Sequence, residues 1–183
     1  MKYFLILFVF FGFTSSLNAA DEKSKEIEMP KTFVLGDPIK GSELVESCAA
    51  CHGVDGNSMV TDWPKLSGQN QKYLYEQLLY FRDGSRMNAL MMSVTPYLQT
   101  LTDNDLKDIA AFYSQYNSTV GQAKNDEEML ALGTKLYRFG NIKKQIPACT
   151  SCHAVYGQGN SLAGYPSVAC LLYTSDAADD LLC

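Results

Sequence analysis

The chain has 183 residues, of which 46% are apolar, and a formal net charge of −5. This apolar fraction is ordinary for a globular protein and excludes a disordered chain. The length allows one or two small domains. The charge balance is mildly acidic and Lys143 and Lys144 form an isolated basic pair rather than a basic stripe, so nucleic acid is excluded as a partner.

The first twenty residues predict a signal peptide. Lys2 precedes an apolar run over residues 3–13, and small residues end the segment at Ala19 and Ala20. The run is too short to span a bilayer comfortably, although an uncleaved membrane anchor stays open as an alternative. Residues 21–40 follow as a charged linker of mixed sign. We therefore expect an exported protein.

The sequence Cys-x-x-Cys-His occurs twice, and the two motifs contain every His in the chain: Cys48, Cys51, His52 and Cys149, Cys152, His153. A structural zinc site leaves the His unexplained, because an adjacent Cys and His do not easily share one tetrahedron. A thioredoxin-like redox pair needs a βαβ pattern that the flanks lack, and a disulfide needs no His. Covalent attachment of c-type haem accounts for all three residues of each motif and suits an exported chain.

A Met is the expected sixth ligand of an iron held by His52, because a His/Met pair suits electron transfer. The candidates are Met59, Met87, Met91, Met92 and Met129. Met59 is too close to His52 in sequence, and Met129 lies beyond the helix that should close the unit. Residues 86–106 have little periodicity, which predicts a loop around the haem edge. Met92 is the preferred ligand and Met91 the second choice.

The other ring nitrogen of a ligating His is usually fixed by a hydrogen bond. Pro64 lies twelve residues after His52, and its carbonyl is free to accept such a bond. A simple loop stop is an equally good interpretation of this Pro from sequence alone.

Two helices follow the first motif. Residues 70–82 place Tyr73, Leu74, Leu78 and Phe81 on one face, with Gly84 as a stop. The second helix begins at a Thr102 cap, with Asp105 three residues later. Its predicted inner stripe is Leu106, Ile109, Ala110 and Tyr113. These elements predict a compact all-α unit whose small core is completed by haem.

The segment from Gly41 to Tyr116 resembles a class I cytochrome c domain, through "CAACHGVDGNS", "WPKLSGQNQKYLYEQLLYFRDGSR" and "LTDNDLKDIAAFYSQ". The later "LGTKLYRFGN", "PACTSCHAVYGQGNS" and "YPSVA" resemble the second half of the di-haem cytochrome c4 type. The resemblance implies an all-α fold of tandem class I domains. It implies thioether links at the four motif Cys, axial ligation by His52 and His153, and a Met ligand from the 91/92 pair. It also implies that the Pro64 and Pro166 carbonyls orient the two His.

The resemblance predicts domains at residues 41–120 and 121–169, the first complete and the second truncated before its Met ligand. Residues 170–183 resemble translated read-through of a sequencing adapter and are expected to be foreign to the fold. The alternative is a genuine tail with a Cys170–Cys183 bridge. We expect two haem c groups in the full-length protein and one securely housed in this chain.

Function follows from the same resemblance. It implies a periplasmic electron carrier between a quinol-oxidising complex and a terminal oxidase, with peripheral association with the membrane as a further expectation. The sequence contains no visible cluster of general acids and bases, and no nucleophile apart from the motif Cys, so we do not expect an enzyme in its own right. The alternative is the cytochrome subunit of a periplasmic flavin-linked or sulfur-compound dehydrogenase.

Overall fold

The computed structural model describes residues 33–60, 62–119 and 126–169. The predicted signal peptide, residues 21–32 of the linker, the start of the predicted second domain and the tail at 170–183 lie outside the described residues. Within the described ranges no helix is long and apolar enough to cross a bilayer.

Seven α-helices and two 3₁₀ turns make up the regular structure of the described residues. The α-helices are α1 (Pro38–Leu44), α2 (Glu46–His52), α3 (Gln71–Asp83), α4 (Thr95–Leu98), α5 (Asp103–Ser114), α6 (Glu127–Phe139) and α7 (Thr150–His153). The 3₁₀ turns are Met91–Ser93 and Ile142–Lys144. The β-structure there is limited to two isolated bridges, Asn141–Ile146 and Asn160–Tyr165. The predicted all-α class is confirmed.

The described residues up to 119 are called the first half here, and those from 126 onwards the second half. The two long helices of the first half form where the sequence predicts them. Helix α3 begins after Asn70 and ends at Gly84, whose φ of +82° is the left-handed conformation that glycine adopts readily. Helix α5 has a capping box: the N–H of Thr102 donates to Asp105 at 2.8 Å, and the N–H of Asp105 donates to the Thr102 hydroxyl at 3.2 Å. Every residue of the predicted inner stripe of α5 is buried.

The prediction of an irregular loop over residues 86–106 was wrong in its middle. A 3₁₀ turn at Met91–Ser93 leads into α4, which has Pro96 in its first turn, where a missing N–H costs no helical hydrogen bond. The side chain of Asn88 starts this segment by accepting the N–H of Leu90 at 3.0 Å. Asn and Asp favour such local turns, so the Met residues lie on a defined backbone.

Helix α1 crosses α5 with almost no space between their backbones. A Cβ atom on Gly41 would lie 2.0 Å from the carbonyl oxygen of Asp108, so only glycine fits there. The Asp108 carboxylate accepts the N–H of Asp37 at 2.7 Å, and the Tyr97 hydroxyl donates to the Leu44 carbonyl at 2.8 Å. These contacts fix α1, and therefore α2 behind it, against the core.

The second half has fewer elements in the described residues. Helix α6 packs against α7, and the Tyr137 hydroxyl donates to the Ala154 carbonyl at 2.7 Å. The sequence predicts an exposed apolar face around Leu136, Tyr137 and Phe139. The structure agrees for Phe139, which is 74% exposed, but the prediction was wrong for Tyr137, which is buried because its hydroxyl reaches the end of α7.

Candidate functional site

The first motif lies on a single turn of α2. Cys48 and Cys51 are three residues apart, so their side chains project from neighbouring positions on one helix face. His52 is the last residue of the helix, and Gly53 ends it with a φ of +82°. Cys48 and His52 are buried, and Cys51 is half-buried. The helix thus presents all three motif side chains to one side.

The ring of His52 is held by the backbone. Its Nδ1 lies 2.8 Å from the carbonyl oxygen of Pro64, so Nδ1 donates and carries the proton. Burial lowers the pKa of His52, which is only 7% exposed, and favours the neutral imidazole. A neutral ring with Nδ1 engaged leaves Nε2 free as a metal ligand.

A cavity of about 310 Å³ opens beside this His. Its walls come from α2, the loop at 62–69, α3, residues 86–94 (the Met segment) and α5. The lining is mainly apolar and includes Cys48, Cys51, His52, Trp63, Pro64, Leu66, Tyr73, Leu74, Leu78, Phe81, Met91, Val94, Ile109, Ala110 and Tyr113. The four residues predicted on the inner face of α3 are all among them.

The donor set of this cavity fits a haem. Cys48, Cys51 and His52 lie at one side of the cavity, and the rest of the lining is mainly apolar. A haem is a flat and largely apolar group that is attached through its edge, so it needs this combination. Tyr113 adds a polar atom: it is 1% exposed, and its hydroxyl has no hydrogen-bond partner among the described residues. Buried polar groups normally have a partner, so an enclosed group with polar substituents, or water, is expected beside it.

The Cys48 thiol does not have the properties of a redox-active Cys. Burial and the neighbouring Cys51 raise the pKa of Cys48 to about 11, so this thiol stays protonated at neutral pH. Reactive disulfide-exchange cysteines need an accessible thiolate with a lowered pKa. Across the described ranges, no three His, Cys, Asp or Glu side chains converge as a structural zinc site would need.

The structure gives different surroundings to the two candidate Met ligands, Met91 and Met92. Met91 lines the cavity with His52 and packs against the cluster of Phe81, Leu98 and Leu106. Met92 is 55% exposed and lies in an outer groove with Met87. Consecutive residues on a helical turn point in different directions, so only one can face the cavity. The geometry favours Met91 over the preferred Met92.

The second motif has the same local geometry in a more open setting. His153 ends α7, and its Nδ1 lies 2.9 Å from the carbonyl oxygen of Pro166. Cys149 is exposed, and Cys152 and His153 are half-buried. The structure therefore brings together all four residues predicted for the second site.

Sequence reasoning missed Gln69. This side chain is 3% exposed and lines the first cavity, yet it bonds to Ser167 in the second half of the chain. A polar residue between two loops has no periodicity to mark it, and only the tertiary contact identifies it. Arg82, which is not among the residues lining the cavity, forms an ion pair with the exposed Asp103 at 2.6 Å.

The comparisons with known proteins agree with this geometry. The cytochrome c family profile matches residues 39–116. Cytochrome c4 of Stutzerimonas stutzeri is 43% identical over 139 residues, which are 73% of this chain and 65% of that protein. The chain therefore spans just under two thirds of that relative's length. The thiosulfate dehydrogenase electron acceptor of Thiomonas intermedia is 35% identical over 115 residues, 58% of this chain and 49% of that protein.

Among solved structures, reduced recombinant cytochrome c4 from Pseudomonas stutzeri matches with a TM-score of 0.69 and 42% identity. The match covers 76% of this chain and 76% of that one. It includes the helical fold and extends well beyond the first motif. The chain therefore belongs to the cytochrome c family, as a di-haem cytochrome c4-type protein with covalently bound c-type haem.

Proposed function

We propose that this protein is a periplasmic electron carrier with one haem c at each CxxCH motif. The observation that carries the proposal is the first cavity, where Cys48, Cys51, His52 and Met91 line one apolar space and Pro64 fixes the His. Covalently bound haem supplies a one-electron iron centre in such a space.

Each residue of the first site has a defined role in this proposal. Cys48 and Cys51 would hold the haem covalently through thioether bonds. His52 Nε2, with the ring oriented by the Pro64 carbonyl, would be one ligand of the iron. Met91, rather than Met92, would supply a thioether ligand.

The surroundings favour electron transfer over catalysis. The apolar walls from α3 and α5 exclude water, and a closely packed shell changes little in geometry when the charge of the iron changes. A His/Met ligand pair raises the reduction potential. These properties suit a carrier that accepts an electron from a quinol-oxidising complex and delivers it to a terminal oxidase.

A second candidate is an electron acceptor for a periplasmic dehydrogenase. The relative from Thiomonas intermedia, named as a thiosulfate dehydrogenase electron acceptor, favours it. The site would be the same, and only the electron donor would differ. Stopped-flow reduction by a quinol-oxidising complex and by a thiosulfate dehydrogenase, measured side by side, separates the two: the physiological donor should reduce the protein much faster.

Two measurements test the haem sites. A pyridine haemochrome assay on the full-length exported protein should give two c-type haems per chain. Met91→Leu should abolish the weak sulfur-to-iron absorption band of the first haem in the oxidised protein and lower its reduction potential, because the thioether is lost.

Met92→Leu is the matched control, since it changes the neighbouring side chain by the same amount. It should keep the band and the potential. Loss of the band in Met92→Leu alone would return the ligand to Met92. Absence of covalent haem from the exported wild-type protein would refute the proposed function itself.

A further inference from the structure

Two consecutive amide side chains join the two halves of the chain. Gln69 Nε2 donates to the carbonyl oxygen of Ser167 at 2.9 Å, and Gln69 Oε1 accepts the N–H of Ser167 at 2.7 Å. Asn70 Nδ2 donates to the carbonyl oxygen of Tyr165 at 2.5 Å. Because Gln69 binds both polar groups of one backbone residue, it fixes the orientation of that residue as well as its distance.

The segment held in this way, residues 165–167, carries the acceptor for the second His. The Pro166 carbonyl accepts from His153 Nδ1 at 2.9 Å, and the ring of Tyr165 lies 6.4 Å from the His153 ring. Pro166 stands between the two residues that Gln69 and Asn70 bind. Its carbonyl cannot move far without breaking one of those bonds.

Gln69 is also part of the first site. Its side chain lines the cavity that contains His52, and its Oε1 accepts the N–H of Asn70 at 2.8 Å as well. The amide oxygen therefore accepts two hydrogen bonds, the amide nitrogen donates one, and the side chain is almost completely buried. Removing it would leave the partly buried N–H and carbonyl groups of Ser167 without this partner, which costs more than the loss of an exposed hydrogen bond.

From these contacts we propose that Gln69 is a positioning residue for the second haem site: from the wall of the first cavity it holds the Pro166 carbonyl against His153. The proposal rests on the proposed function, because it takes His153 as an iron ligand. Because Gln69 contacts both regions, a shift of the backbone at 165–167 would also move the wall of the first cavity.

The test compares Gln69→Leu with Gln71→Leu in the full exported chain. Gln71 is the matched control because its amide donates within the first half, to the Lys107 carbonyl at 3.2 Å. Amide hydrogen exchange is measured over residues 163–169, and the ¹⁵N signal of His153 Nδ1 is recorded in the reduced protein. Gln69→Leu should speed exchange in this segment about tenfold and shift the His153 signal.

Gln71→Leu should change neither measurement. Gln69→Glu keeps the acceptor for the Ser167 N–H but not the donor, so it should give intermediate exchange and a partly restored His153 signal. An unchanged His153 signal in Gln69→Leu would overturn the proposal, even if exchange became faster. A pyridine haemochrome assay on the same samples reports haem attachment separately, so this outcome is distinct from a failure of the proposed haem sites.

Discussion

The two CxxCH motifs have nearly the same local geometry but different surroundings. His52 and His153 each end a short helix and donate Nδ1 to a Pro carbonyl, at 2.8 and 2.9 Å. The first motif lies beside a cavity walled by α3, α5 and the Met segment, and Cys48 is buried. At the second motif Cys149 is exposed. The motif therefore forms its own turn and His–Pro bond, whereas a closed haem pocket depends on distant helices.

The residue after each His gives a second contrast. Gly53 has a φ of +82°, and its equivalent Ala154 has a φ of +64° with extended ψ. That region is strongly disfavoured for residues with a Cβ atom. Both motifs force the chain into this conformation, but only the first uses glycine for it. The four predictions that follow test this comparison, from the largest expected effect to the smallest.

Gly41→Ala should disrupt the first half alone. The added Cβ would meet the carbonyl oxygen of Asp108 at 2.0 Å and the Cβ of Phe112 at 2.9 Å, so α1 must move away from α5. We expect a loss of about 3 kcal/mol in the free energy of unfolding, the upper end of overpacking costs. Denaturant unfolding followed by the Soret band of the first haem measures it. Ser42→Ala, next along α1, should cost far less, and equal losses would contradict the account of this crossing.

Exchanging the residues that follow the two His should have opposite effects. Gly53→Ala places a Cβ at positive φ, 3.0 Å from the Asn57 carbonyl oxygen, and should cost about 2 kcal/mol. Ala154→Gly relieves the same strain and should stabilise the second half by about 1 kcal/mol after the entropy cost of glycine. Amide exchange near each motif reports the two changes separately. Destabilisation by Ala154→Gly would show that Ala154 is not strained.

Tyr137→Phe should lower the local stability of the second motif and leave that of the first motif unchanged. The buried hydroxyl donates to the Ala154 carbonyl at 2.7 Å, and its loss leaves that carbonyl without this donor at the end of α7. A cost of about 1 to 1.5 kcal/mol is expected. Amide exchange over residues 150–157 should become faster, while the residues around His52 keep their protection. Tyr80→Phe, an exposed Tyr on α3, serves as the control and should have no effect.

Thr102→Ala removes the cap of α5 and should cost about 0.5 to 1 kcal/mol at neutral pH. The effect should depend on pH, because hydrogen bonds from Thr102 lower the pKa of Asp105. This contribution is present above the ordinary Asp pKa of about 4 and is lost as the pH falls through the lower folded value. The difference in the free energy of unfolding between the wild-type protein and Thr102→Ala should therefore be smaller in acid than at pH 7. A difference that grows in acid would contradict the assignment.

The sequence determined the parts of this protein that depend on local patterns. Both CxxCH turns, the apolar stripe on α5 and its Thr102 cap are properties of a few neighbouring residues, and the structure contains them as predicted. The resemblance of the motifs and their flanks to the di-haem cytochrome c4 type also sufficed to identify the family. Spacing and capping act within one or two helical turns, so sequence alone reveals them.

Only the tertiary structure decided which Met faces the cavity and what joins the two halves. Met91 and Met92 are identical in type and adjacent, and the preference for Met92 from sequence had no geometric basis, whereas the helical turn directs Met91 towards the cavity and Met92 towards the outer groove. Gln69 acquires its role from Ser167, 98 residues away. A contact at that separation depends on how the whole chain packs, because the geometry of one segment must meet that of another, and no local pattern encodes it.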